Sequence, residues 1–195
     1  MIDKDEVIAF FDSCAPEWDA GMVCDDKIID IILDNAGVHS GSRVLDVACG
    51  TGVLVPYYLK RNVSSVTGVD ISPGMIAVAE SKFGQTEVRF LCADAETGSF
   101  GTGFDSIVIY NAFPHFADSR KLIGNLASML RPGGILTVAH GMSRDRINSH
   151  HSGSASRVSN GLPEAEDLAA LFSEHLEVTA VISDDRMYQV CGKAR

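Results

Sequence analysis

Two kinds of apolar pattern alternate along most of the chain. Residues 25–36 carry apolar side chains at positions 28, 29, 31, 32 and 33, a spacing that predicts an amphipathic helix ended by Gly37. Short apolar runs bounded by glycine or polar residues predict buried strands instead. The predicted strands are 44–47, 65–69, 88–91, 105–110 and 135–139, and the predicted helices are 3–13, 25–36, 54–60, 72–80 and 119–130. Such alternation is typical of a parallel sheet with helices on both faces.

The last part of the chain departs from this alternation. A helix predicted over 163–175 precedes two predicted strands, 176–184 and 187–193, which only a short turn separates. A turn this short predicts a hairpin, so one of the two strands must run antiparallel to the rest of the sheet. Residues 140–162, rich in Ser, His, Asn and Gly, are predicted to form a long loop of the kind that often carries function. Without a linker or repeat, we interpret 1–195 as a single domain.

Composition restricts the class of ligand. The 26 acidic and 16 basic residues give a net charge of −10, which argues against nucleic-acid binding and favours a small molecule. Neither a basic, apolar leader nor a run of ~18 apolar residues is present, so we expect a cytoplasmic protein without a membrane segment. The 5 scattered cysteines lack a CxxC pair and predict reduced thiols without a metal site. We expect a monomer or a homodimer.

The stretch Asp46-Val47-Ala48-Cys49-Gly50-Thr51-Gly52 joins a predicted strand to a predicted helix. A glycine turn at such a junction lets backbone N–H groups approach a ligand closely. Asp70 ends the next predicted strand, where a carboxylate accepts hydrogen bonds from two ribose hydroxyls. The turn is Asp-x-x-x-Gly-x-Gly, and Val55 stands where a dinucleotide site has its third glycine. The pattern therefore predicts an adenosine-containing cofactor that is not a dinucleotide.

These motifs together resemble the class I S-adenosylmethionine-dependent methyltransferases, in particular the small methyltransferase domain 11/25 type that includes the quinone-ring methylases. The matching segments are VLDVACGTG (44–52), VTGVDISPGMIAVA (66–79), LCADAE (91–96), FDSIVIYNAFPHF (104–116) and LRPGG (130–134). The resemblance implies an α/β, Rossmann-like class I methyltransferase fold, with a mostly parallel seven-stranded sheet, a C-terminal antiparallel hairpin and helices on both faces. It also implies that residues 1–36 form a helical lid and that residues 140–162 form a loop on the substrate side.

The resemblance further implies a set of contacts to S-adenosylmethionine. Asp70 is expected at the ribose hydroxyls, Asp94 at the adenine amino group and Asn111 near the sulfonium. Ala48 stands where the family often has glycine, and its small side chain is compatible with binding. Taken singly, these residues are equally well explained as strand-end caps and an ordinary turn, but their order at successive strand ends favours the cofactor. The expected contacts are Asp46, Ala48, Gly50, Thr51, Gly52, Asp70, Ile71, Met75, Asp94, Ala95 and Asn111.

The acceptor side is expected beyond the fourth and fifth strands. His140 and His115 are the candidate general bases, since a histidine with a pKa of about 6.5 can accept a proton at neutral pH. Three alternatives stay open: that His115 only packs over the cofactor, that the histidines bind a divalent metal, or that 140–162 is a plain polar loop. Arg144 is expected either to bind an anionic acceptor or to pair with nearby carboxylates. The candidate substrate residues are Trp18, Phe113, Phe116, Arg144, His150 and His151.

We therefore expect a methyltransferase that moves a methyl group from S-adenosylmethionine to a small molecule by in-line displacement, with histidine assistance. The alternatives are methylation of a protein or an RNA, and a non-catalytic protein that binds S-adenosylmethionine.

Overall fold

The computed structural model describes residues 2–151 and 157–195, without the side chains of His150 and His151. The strands are β1 (Arg43–Val47), β2 (Ser65–Asp70), β3 (Val88–Cys92), β4 (Phe104–Tyr110), β5 (Leu130–His140), β6 (Glu177–Ser183) and β7 (Tyr188–Lys193). The α-helices are α1 (Lys4–Cys14), α2 (Asp26–Asn35), α3 (Val55–Lys60), α4 (Pro73–Phe83), α5 (Ser119–Ala127), α6 (Arg144–His151) and α7 (Ala165–Ser173). Ala15–Gly21 and Phe113–His115 form 3-10 helices. Within the described ranges, no helix has the length and apolar character needed to cross a membrane.

The strands form one seven-stranded sheet in the order β3-β2-β1-β4-β5-β7-β6. Strands β1 to β5 are mutually parallel, and β7 runs antiparallel to both of its neighbours. This arrangement confirms the predicted α/β fold with a C-terminal hairpin. Because chain order reverses between β1 and β4, a crevice opens there beyond the carboxyl ends of the strands, where ligands of open α/β sheets bind.

Two apolar layers fix the sheet between its helices. Successive side chains of a strand point to opposite faces, so Val44 packs with α2 and α3 while Leu45 packs with α5 and α7. Most of the apolar stripe of α2 is buried, since Ile29 and Leu33 are completely buried while Ile31 is 39% exposed. Helix α2 is therefore part of the core. The helical lid over 1–36 stays a prediction.

The main differences from the sequence-based prediction lie around β5. Helix α5 ends at Ala127, and β5 begins at Leu130, so the strand includes the Pro132-Gly133-Gly134 segment that was expected to precede it. Leu130 pairs with Phe104 of β4, and a register shift follows that pair. Pairing between distant strands thus overrides the local preference for a turn. Helix α6 also occupies part of the region 140–162, which was predicted to be a loop.

Candidate active site

The glycine turn after β1 has the backbone of a ligand-binding loop. Ala48, Gly50 and Gly52 all have positive φ angles, of 53°, 54° and 85°. A non-glycine residue in this region is uncommon, and such strain concentrates at functional sites. A side chain at Gly52 would stand 2.8 Å from the Phe83 ring, whereas nothing lies within 4 Å of the corresponding position at Gly50. The turn is therefore packed at Gly52 and open at Gly50.

Asp70 is fixed beside this turn by two backbone donors. Its Oδ2 accepts from the N–H of Gly50 at 2.9 Å, and its Oδ1 accepts from the N–H of Ser72 at 2.9 Å. Burial raises the pKa of Asp70, and these backbone N–H groups oppose that rise. Each carboxylate oxygen keeps a second acceptor lone pair. The side chain is thus held in one orientation with acceptor capacity left for a ligand.

A cavity of about 690 Å³ lies at this edge of the sheet. Its volume falls in the range of about 300–1,000 Å³ that is usual for small-molecule sites. Asp46 and Gly52 are among the predicted contacts but do not line it, because Asp46 lies beneath the turn and Gly52 packs on Phe83. The predicted contacts that line the cavity are Ala48, Gly50, Thr51, Asp70, Ile71, Met75, Asp94, Ala95 and Asn111.

Asp46 is a buried carboxyl under the glycine turn. It is 2% exposed, and its Oδ2 has no hydrogen-bond partner among the described residues. Burial raises the pKa of Asp46 to about 8, and the negative charge of Asp70 adds to this rise. The nearby hydroxyl of Tyr58 partly opposes the rise, although it lies outside hydrogen-bond geometry. The group is therefore mostly protonated at neutral pH, and it supports the turn from below.

Asp94 lies after β3 at the opposite end of the cavity from Asn111. Its Oδ2 accepts from Lys4 Nζ at 2.7 Å and from Thr97 Oγ1 at 2.9 Å, and its Oδ1 accepts from the N–H of Glu96 at 2.9 Å. Burial opposes ionisation, but these donors outweigh it and lower the pKa of Asp94. Lys4 and Glu96 also line the cavity. Sequence reasoning missed both, although Glu96 ends the LCADAE segment that drew attention to Asp94.

Residues 4–24, which we call the N-terminal cover, close one side of the cavity. Phe11 and Trp18 line it, and their rings pack edge to face with centroids 5.7 Å apart. Asp12 accepts from the Ser72 hydroxyl at 2.5 Å and from the N–H of Gly74 at 2.8 Å.

A second carboxylate of the N-terminal cover reaches the glycine turn. Asp19 accepts from Thr51 Oγ1 at 2.6 Å and pairs with Lys82 Nζ at 2.6 Å. Burial opposes ionisation of Asp19, but the Lys82 and Thr51 contacts outweigh it and lower its pKa. The N-terminal cover is thus tied to the residues that surround the cavity.

His115 stands in the cavity wall beyond β4. Its Nδ1 lies 2.7 Å from the carbonyl oxygen of Val158, and its ring packs edge to face on Phe11 at 4.9 Å. A carbonyl oxygen only accepts, so Nδ1 carries the proton and the neutral ring has its lone pair on Nε2. Among the described residues, Tyr110, Phe116 and Met142 also line the cavity from the ends of β4 and β5.

Other residues predicted for the acceptor side lie elsewhere. His140 is 1% exposed within β5, where it pairs in register with Tyr188 and packs edge to face on its ring at 6.1 Å. Phe113 is 2% exposed in the core. Arg144 donates to the carbonyls of Leu162 and Pro163 at 3.1 Å each and pairs with a neighbouring carboxylate, so it fastens α6 to the following loop.

Two further candidate substrate residues, His150 and His151, stand at the end of α6. The side chains of His150 and His151 lie outside the part of the chain that the structure describes, and so do the substrate contacts predicted for them. Over the remaining described part of the chain, no group of three or more His, Cys, Asp or Glu side chains is placed to hold a metal ion. Trp18, by contrast, lines the cavity while remaining 37% exposed, so it stands at the mouth.

Comparison with known proteins supports the geometric picture. A family model described as "Methyltransferase domain" matches residues 44–134. The chain is 33% identical over 139 residues to malonyl-[acyl-carrier protein] O-methyltransferase of Acetivibrio thermocellus, covering 70% of this chain and 49% of that protein. It is 40% identical over 116 residues to demethylmenaquinone methyltransferase of Thermus thermophilus, covering 57% of this chain and 51% of that protein. The chain thus spans about half the length of these curated relatives.

Solved structures share the fold. A chain of the complex between the Haloferax volcanii Trm112 methyltransferase activator and a putative methyltransferase matches with a TM-score of 0.78 and 21% identity, covering 94% of this chain and 97% of that chain. The N-methyltransferase NodS of Bradyrhizobium japonicum, solved with S-adenosyl-L-homocysteine, matches with a TM-score of 0.66 and 17% identity, covering 86% of this chain and 84% of that chain. At these identities the likeness concerns the fold.

Proposed function

We propose that the chain is a class I S-adenosylmethionine-dependent methyltransferase that transfers a methyl group from that cofactor to a small, largely apolar molecule. One observation carries the proposal. One cavity joins the glycine turn and the acidic residues after β2 and β3 to a wall of aromatic and sulfur-containing side chains from β4, β5 and the N-terminal cover. The proposed donor site and acceptor site therefore share this cavity.

The residues present fit the cofactor. Gly50 leaves open space on a left-handed turn, so backbone can approach the ligand closely. Asp70 offers fixed acceptor oxygens for the two ribose hydroxyls. Asp94 offers an acceptor for the adenine amino group, while Ile71 and Met75 supply apolar contacts to the adenine ring. S-adenosylmethionine supplies an activated methyl group when it is bound.

The acceptor half favours an uncharged, apolar molecule. Phe11, Phe116 and Met142 give it an apolar surface. The phenol of Tyr110 is neutral at physiological pH, and burial raises its pKa further, to about 12. One curated relative is named for malonyl-[acyl-carrier protein], an acyl group carried on a protein, and the other is named for demethylmenaquinone. The second name agrees with an apolar small-molecule acceptor.

His115 is the group that we assign as general base. With the Nδ1 proton donated to the Val158 carbonyl, Nε2 can accept a proton from an acceptor hydroxyl or amine in the cavity. The N-terminal cover excludes water from the same space, which strengthens electrostatic interactions there. His140 has no place in this mechanism because it does not line the cavity.

Incubation with methyl-labelled S-adenosylmethionine and cell extract, followed by ultrafiltration, tests the proposal. The expected result is label in a small molecule of the filtrate that separates from unreacted S-adenosylmethionine by chromatography and that is missing from extract incubated without the protein. Label on retained protein or RNA would support a macromolecular acceptor instead, and cofactor binding without label transfer in any fraction would support a binding protein. We further propose a cytoplasmic location as a monomer or homodimer; the free thiols of its cysteines support a reducing compartment.

A further inference from the structure

Glu96 joins the loop after β3 to the turn that carries His115. Its side chain is almost completely buried, at 4% exposed. Oε1 accepts from the backbone N–H of Ala117 at 2.6 Å and from that of Asp118 at 3.0 Å. Ala117 directly follows the His115-Phe116 pair, and Asp118 is the N-cap of α5. Glu96 therefore fixes the point at which the turn passes into α5.

The other oxygen of Glu96 reaches the N-terminal cover. Oε2 lies 2.6 Å from Lys4 Nζ, and the same ammonium lies 2.7 Å from Asp94 Oδ2. Lys4 stands in the first turn of α1. A buried carboxylate is unfavourable unless it is paired and hydrogen-bonded. Docking of α1 therefore brings a cation to Oε2 of Glu96, while Oε1 of the same carboxyl group holds the amides of Ala117 and Asp118.

The turn is held from its other side by the segment 157–161. Val158 accepts from His115 Nδ1, the N–H of Asn160 donates to the Pro114 carbonyl at 2.8 Å, and the Asn160 side-chain amide donates to the Phe116 carbonyl at 3.0 Å. The His115 turn thus has two supports on opposite sides. The support through Glu96 continues into α1 through Lys4, and the ring of Phe11 adds a direct contact between α1 and His115.

We propose that Glu96 is a positioning residue that transmits docking of the N-terminal cover to His115. This role rests on the proposed function, in which His115 is the base. With Lys4 docked, the Glu96 carboxylate holds the turn, and His115 keeps its place in the cavity wall. When α1 lifts, the carboxylate loses its cation and the turn loosens. His115 therefore has both of these supports only while the N-terminal cover is docked.

Amide hydrogen exchange at Ala117 and Asp118, together with the imidazole nitrogen shifts of His115 by NMR, tests this role in the full chain. We expect Lys4→Met to speed exchange at both amides by about tenfold or more, since hydrogen bonds to charged groups are the stronger ones, and to move the His115 shifts. Lys4→Arg should restore both. Lys82→Met is the matched control, because it removes another ammonium–carboxylate tether of the cover at the same 2.6 Å distance without touching Glu96.

The outcomes separate this role from the proposed function. Unchanged amides and His115 shifts in Lys4→Met would overturn the role of Glu96, as would an equal change in Lys82→Met. Calorimetry with S-adenosyl-L-homocysteine on the unmodified chain tests the methyltransferase proposal separately. Binding there together with unchanged amides would refute the positioning role alone, whereas absence of binding would count against the cofactor site itself.

Discussion

Replacing Asp70 with alanine should remove most of the affinity for the cofactor product, S-adenosyl-L-homocysteine. Asp70 is held by the N–H groups of Gly50 and Ser72 in an orientation that leaves acceptor capacity toward the cavity. Two hydrogen bonds from ribose hydroxyls to an ionised carboxylate are worth roughly 1.5–3 kcal/mol each. Since about 1.4 kcal/mol corresponds to a tenfold change in affinity, the loss of both should weaken binding by about 100-fold or more.

Asp105 provides a matched control for this substitution. Its carboxylate also accepts a hydrogen bond from a backbone N–H, that of Arg43 at 2.7 Å, and it pairs with Arg131. Asp105 lies at the start of β4, however, at the opposite end of the strands from the cavity. Asp105→Ala should therefore lower the melting temperature while the dissociation constant for S-adenosyl-L-homocysteine stays near that of the original chain. Isothermal titration calorimetry gives the affinities, and thermal unfolding confirms that each variant is folded.

The reasoning is refuted if folded Asp70→Ala binds S-adenosyl-L-homocysteine within about threefold of the original chain, because two charged hydrogen bonds cannot be worth so little. An equal loss of affinity in Asp105→Ala would also refute it, since the effect would then follow from general destabilisation.

Three further predictions address the base, the buried carboxyl and the cover. Once an acceptor is identified, His115→Ala should lower the rate of methyl transfer by about 10²–10⁴-fold and leave the affinity for S-adenosyl-L-homocysteine unchanged. His39 is an exposed histidine, and His39→Ala should have no effect. Equal turnover in both variants would exclude His115 as the base. The pKa of Asp46 is about 8 in the folded chain, so the unfolded chain releases this proton at lower pH than the folded chain does. The free energy of unfolding should therefore fall by about 4 kcal/mol between pH 4 and 7 and level off above pH 8. Asp46→Asn should remove that slope in urea unfolding measured across pH, and parallel curves for the two proteins would contradict the assignment. Asp19→Asn weakens the contacts of the N-terminal cover with Thr51 and Lys82. In stopped-flow measurements it should speed dissociation of S-adenosyl-L-homocysteine severalfold at low salt, with a smaller difference at 1 M salt. A dissociation rate equal to that of the original chain would show that the cover does not retain the ligand.

Local patterns were sufficient where a short segment determines its own structure. The glycine turn at 48–52 and the Ser72 cap of α4 depend on neighbouring residues, and the order of strands and helices follows from their spacing. The predicted fold was confirmed for this reason. The start of β5 was predicted five residues late, because its first residues are held by pairing with β4 and by a hydrogen bond from the N–H of Gly133 to the Ala194 carbonyl.

Contacts between distant segments limited the prediction of the site. His140 stands at a strand end, as expected, but its surroundings are set by pairing with β7, which the sequence around it does not reveal. Lys4 meets Asp94 across 90 residues of chain. No periodicity within α1 indicates which loop its lysine will reach, so the pair of Lys4 and Glu96 became visible only in the folded chain.

The sheet order also constrains how the chain acquires its fold. Strand β7 follows β6 in the sequence but lies between β5 and β6, and five of its six residues are buried. During synthesis, β6 has no partner in the sheet until β7 has been made, because β7 supplies its pairing edge. Non-local pairing of this kind is slow and leaves a strand edge exposed to association with other chains. We therefore expect β6 and β7 to pair with each other before they contact β5. Docking of this hairpin onto β5 would then be the last step of folding.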